Sequence, residues 1–153
     1  MDACVDIAVE PRGGVYRALL EYGRQLRSTV SLVWRDQHAF EPPAQLIATR
    51  LRADLIREAR VDEWPGTRLI GSLAMLRIYR LSANTVTVLA EVGGLYEWLA
   101  PTRPEDLAFY ANDGRAWLGS ISHERDAFVE PEVIAIRELA SQVPGLRLRH
   151  RDG

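Results

Sequence analysis

The sequence predicts an α+β fold: a mostly antiparallel sheet of about four to five strands, flanked by three to four helices. Three observations point there. Asn112-Asp113-Gly114 lies between two apolar runs, a strong hairpin signal, because such turns need backbone angles that Gly and Asn or Asp tolerate. The runs TVSLVWR (29–35) and SLAMLRIYRL (72–81) are β-branched, aromatic or alternating, and read as strands. Around them lie stretches whose apolar residues recur at helical spacing.

Taken in order, residues 1–13 read as a loose lead-in. GVYRALLEYGRQLRS then places Val15, Leu19, Tyr22 and Leu26 on one helical stripe, with Gly23 costing about 1 kcal/mol relative to Ala. After the first strand, DQHAFEPP is a turn whose prolines open a helix over 43–59. Its buried stripe is Ala44, Ile47, Ala48, Leu51 and Leu55. On its solvated side Asp54 and Glu58 are spaced to pair with Arg57 and Arg50. DEWPGTRLIG is a loop with a Pro-Gly turn, followed by the second strand. Over 83–92 the TVTV stretch alternates like a strand, but Ser82 or Asn84 as cap and Gly93 as stop favour a helix. LYEWLAP is one further helical turn, stopped by Pro101. The hairpin occupies 106–121, with strands Asp106 to Ala111 and Arg115 to Ile121. EPEVIAIRELASQV is a helix with Pro131 near its first position and acids in its first turn, where the helix dipole favours them. GLRLRHR is a short edge strand with Arg147, Arg149 and Arg151 facing solvent, and 150–153 a tail. The whole reads as a single domain over 1–153.

Composition narrows the function classes. A chain of 153 residues buries enough surface for a core without metal or disulfide help. A net charge of −2 gives no drive towards nucleic acid or an anionic membrane. All 19 basic residues are Arg, which excludes a Schiff-base, P-loop or general-base lysine. The single Cys4 excludes an internal disulfide and a cysteine zinc site. The N-terminus has no basic n-region, and no apolar run nears the roughly 20 residues of a membrane span. A cytoplasmic protein without cofactor or metal, monomer or homodimer, is the expectation.

No strong catalytic motif occurs. The densest polar stretch is SISHERDAFV (120–129), where His123 reads as a general base oriented by Glu124 or Asp126, with Ser120 or Ser122 as nucleophile. In an extended strand these side chains alternate. Ile121, His123 and Arg125 then share one face, which argues against a local triad. Asp36 and His38, two residues apart in WRDQHAF, are candidates to meet His123 and Glu124 across space in an acid/base or metal site. A second set is aromatic and Arg: Trp34, Arg35, Trp64, Arg68, Tyr79, Tyr96, Trp98, Tyr110 and Trp117. These types are enriched at interface hot spots as well as in cores. Trp64, Arg68, Trp98 and Trp117 are the binding candidates.

SLVWRD, WPGTRLIG and LYEWLAPTRPEDLAFYANDGRAWLGSISHERDAFV resemble a group of small bacterial proteins of unknown function, over about residues 29–129. The resemblance implies a soluble, single-domain bacterial protein and carries no activity, cofactor or catalytic residue. The sequence therefore leads to two expectations. One is a non-enzymatic protein-binding module, of the immunity or antitoxin type by analogy of size. The other is a small hydrolase or metal-dependent enzyme using His123 and Glu124 with Asp36 and His38.

Overall fold

The computed structural model describes residues 4–35 and 39–151. In chain order the elements are β1 (Val5–Ile7), α1 (Gly13–Gln25), β2 (Thr29–Arg35), α2 (Pro42–Leu51), β3 (Leu55–Val61), β4 (Glu63–Trp64), β5 (Thr67–Arg68), β6 (Ala74–Arg80), α3 (Ala83–Leu89), β7 (Glu105–Tyr110), β8 (Ala116–Ile121), β9 (Asp126–Val129), α4 (Ile136–Gln142) and β10 (Leu148–His150). The fold is α+β. Eight strands form one sheet in the order β10-β1-β9-β8-β7-β2-β6-β3, and β4 and β5 form a small hairpin. Every strand pair in the large sheet is antiparallel.

The sheet is larger than the four to five strands expected, and three segments account for the difference. The lead-in contains β1, which pairs on both sides, Val5 with Val129 and with His150. The helix expected over 43–59 stops at Leu51; a 3-10 turn over Arg52–Asp54 follows, and Leu55–Val61 pairs with β6. Leu55 sits four residues after Leu51, so it fits a helical stripe and a strand equally. The chain after β8 turns back at once to make β9. Helix α4 begins at Ile136, five residues later than Pro131 suggests, because 131–134 form turns instead. The 83–92 segment is helical over Ala83–Leu89, with the Ser82 hydroxyl accepting from the Thr85 N–H at 3.2 Å.

One face of the sheet carries the main core. Val30, Leu32, Tyr79, Leu107 and Phe109 meet Tyr16, Leu19 and Leu20 of α1 and Leu89 of α3. Each such side chain contributes roughly 1.5–3 kcal/mol on burial. The buried stripe of α1 runs through Tyr16, Leu19, Leu20, Tyr22 and Gly23, with Val15 partly buried against the core and Leu26 exposed. Gly23 has a reason: a Cβ there would lie 2.9 Å from Leu81 and 3.0 Å from Phe109, so its absence lets α1 sit close on the sheet. Trp98 donates to the Tyr16 hydroxyl at 3.0 Å, and that hydroxyl donates to the Leu89 carbonyl at 2.7 Å, so the buried polar atoms are satisfied. The pairs foreseen within 50–58 are replaced by longer-range ones: Arg50 with Glu91, Glu58 with Arg77, and Asp54 with Asn84.

The opposite, outer face carries a smaller cluster of Val33, Ala74, Leu76 and Trp64. The β4–β5 hairpin lies over it. Gly66 takes a positive φ of 91° at the turn, and a Cβ on Gly119 beneath would meet Phe128 at 2.5 Å and Pro65 at 3.0 Å. The hairpin covers only part of this face. Among the described residues no helix is long and apolar enough to cross a membrane.

Candidate functional site

The sheet has register shifts between β2 and β7, β3 and β6, and β7 and β8, and the first two shape the outer face. In β7 the register against β2 shifts between Ser31 and Val33, so one extra residue is accommodated between Glu105 and Ala108. Asp106 takes it up with φ 58°, in the left-handed region that Asp tolerates better than most residues. Strand alternation is broken there, and Glu105 and Asp106 both turn to the outer face. They are 3% and 1% exposed. Asp106 accepts from the Trp64 indole N–H at 2.9 Å through Oδ2, and from the Ser122 backbone N–H at 2.9 Å through Oδ1. Arg35 lies 3.5 Å from Glu105 and stacks 5.2 Å from the Trp64 ring. Burial pushes the Asp106 carboxyl above its ordinary value, while the Ser122 and Trp64 donors and the charge of Arg35 pull it back. The hairpin is thus latched to the sheet by a buried carboxylate.

The second bulge is in β3, where the register against β6 shifts between Leu55 and Arg57. Ile56 is the extra residue, and Ile56 and Arg57 both line a groove of about 370 Å³ with Thr29, Leu76, Ile78 and Tyr110. The hairpin leaves this half of the face open. Ile56 is 50% exposed although it borders an apolar surface. The Tyr110 hydroxyl is 2.9 Å from Ser31 Oγ at the floor of the sheet. Among the described residues β3 is an outermost strand of the sheet.

The residues singled out in the sequence divide as follows. The Ser-His-Glu stretch is a 3-10 turn over Ser122–Glu124, not an extended strand, and Arg125 closes it at φ 54°. The expected sharing of a face by Ile121, His123 and Arg125 therefore does not occur. His123 is exposed, with Nε2 3.5 Å from the neighbouring Glu124. Ser120 donates to the Leu107 carbonyl at 2.6 Å, and the buried Ser122 hydroxyl has no partner among the described residues. Arg125 reaches back to Glu10 at 3.1 Å, a carboxylate that also accepts from Arg12 and from the Tyr96 N–H. Asp36 and His38 lie outside the described residues. Trp98 and Trp117 are buried core residues and Trp64 is the hairpin latch, so none of the three is a surface anchor. Arg68 is exposed and pairs with Glu63 across the small hairpin at 3.0 Å.

Sequence reasoning missed Glu105 and Asp106 as a site, because PEDL reads only as the start of a hairpin strand. It missed Ile56 because that segment read as helix. Both signals are irregularities of register, and these appear only when strands are paired. Comparisons with family models, with curated proteins and with solved structures return no match.

Proposed function

We propose that this chain is a non-enzymatic protein-binding module and that it presents the open half of its outer sheet face, along β3, to an extended segment of a partner. The observation that carries the reading is the β3 bulge. It turns Ile56 outward beside the apolar groove at the longer of the two outermost strands among the described residues. An extended peptide pairing with such a strand gains main-chain hydrogen bonds, and alternate side chains settle in the neighbouring groove. A toxin-neutralising role is a narrower form of the same reading, supported by size alone.

Selection of a random peptide library on the immobilised chain tests it. The expected result is enrichment of extended, apolar-alternating peptides whose affinity falls about tenfold or more on Ile56→Glu. No enrichment, or equal binding by the variant, removes the reading. Turnover of ester, amide or phosphoester substrates that is lost in His123→Ala, with folding intact, favours the enzyme in its place.

A further inference from the structure

The helix-side surface near β3 holds a feature independent of that groove. Two adjoining hollows, of about 230 and 500 Å³, lie between α2 and the sheet and share Ala48, Arg52 and Arg77. Trp34 forms part of the lining, with Phe40 set edge-on against it at 5.1 Å. Ala48, with its minimal side chain, leaves the helix side of the hollow open.

The charges here are unevenly matched. Arg77 lies over the Trp34 ring at 4.9 Å and donates to Glu58 through Nε at 3.1 Å. A guanidinium has five N–H groups, and Glu58 and the Tyr79 hydroxyl use only part of the fork. Arg52 is exposed and has no ion-pair partner among the described residues. The Trp34 indole N–H is buried beside the Tyr79 hydroxyl, which Arg77 also approaches. Among the described residues two cations stand against one acid, beside a wall formed by Trp34, Phe40 and Ala48, in hollows of a few hundred Å³, the size of a small-ligand site.

We propose that this hollow binds a small organic anion, a carboxylate carried on an apolar ring. Arg52 and Arg77 hold the carboxylate, and the ring lies against Trp34, Phe40 and Ala48. Arginine suits this because its planar fork matches a carboxylate and stacks on aromatic faces.

Titration of the 15N-labelled protein with naphthoate, followed through its indole N–H signals, tests the site. The chain has 4 Trp, and Trp34→Phe identifies the signal to follow. The expected result is a saturable shift of the Trp34 signal, with the other indole signals unmoved. Affinity is expected to fall at least about fivefold in Arg52→Gln, which removes charge at an exposed position, and in Ala48→Leu, which fills the hollow. Neutral naphthamide and acetate, which lack the charge and the ring respectively, leave the signal in place at the same concentrations. A Trp34 signal unmoved by naphthoate, moved equally by naphthamide or acetate, or unchanged in affinity by Arg52→Gln overturns the proposal.

Discussion

The bulges in β7 and β3 use the same backbone device on the same sheet face, and each turns two consecutive side chains outward. In β7 those side chains are Glu105 and Asp106, sealed under the β4–β5 hairpin. In β3 they are Ile56 and Arg57, left in the open. The buried pair needs partners, because a desolvated carboxylate without donors costs several kcal/mol. Trp64, Ser122 and Arg35 meet that need and in doing so fasten the hairpin. The exposed pair needs nothing, since water solvates Arg57 and one outward isoleucine is tolerated. The cover laid over a bulge, more than the bulge itself, separates a stability element from a surface free to recognise something.

The largest effect is expected from removing the cover. Trp64→Ala should cost about 3–5 kcal/mol in urea unfolding, through lost packing and an orphaned Asp106. Trp64→Phe keeps most of the ring and should cost about 1–3 kcal/mol. A cost below about 1 kcal/mol for the alanine variant would mean that the two bulges do not differ in the way described. Next comes the latch itself. Asp106→Ala strands two buried donors and also places alanine at positive φ, whereas Asp106→Gly relieves the backbone. The glycine variant is expected to be the more stable of the two by about 1 kcal/mol.

A smaller effect is expected from pH. Burial raises the folded-state value of Asp106 above its ordinary 3.8, so between those values the folded chain binds the proton more tightly than the unfolded one. This residue's contribution to stability therefore declines as pH rises through that window. Urea midpoints measured across the acid range should show a component of that sign that disappears in Asp106→Asn. The smallest effect on stability belongs to the open bulge. Ile56→Glu should leave the unfolding free energy within about 0.5 kcal/mol of the parent while weakening peptide binding. A large destabilisation there would make Ile56 a structural residue and erase the contrast.

The strands that carry the two bulges differ in how far the sequence could reveal them, although neither bulge is legible. The β7–β8 hairpin is legible from Asn-Asp-Gly, and the structure places Gly114 at φ 88° with Asp113 accepting from the Arg115 N–H at 3.0 Å. Helices α1 and α3 and strands β2 and β6 are legible from periodicity and caps. β3 is not, because its bulge interrupts the alternation that marks a strand and leaves Leu51 and Leu55 at helical spacing. β1 has too few residues to show a period, and its place is set by partners from the far end of the chain. The tryptophans are legible as a class but not by location: Trp117 donates to Ser28 in the core, while Trp64 donates to a carboxylate that reads as an ordinary strand residue.

The position of β1 between β9 and β10 bears on how the protein is made. Residues 5–7 leave the ribosome early, yet their neighbours are 126–129 and 148–150. At ordinary translation speeds β1 waits on the order of ten seconds for a strand to pair with. Val5 and Ile7, fully or nearly fully buried in the fold, reach that burial only once both neighbours are in place. Completion of this side of the sheet is thus a late, long-range closure.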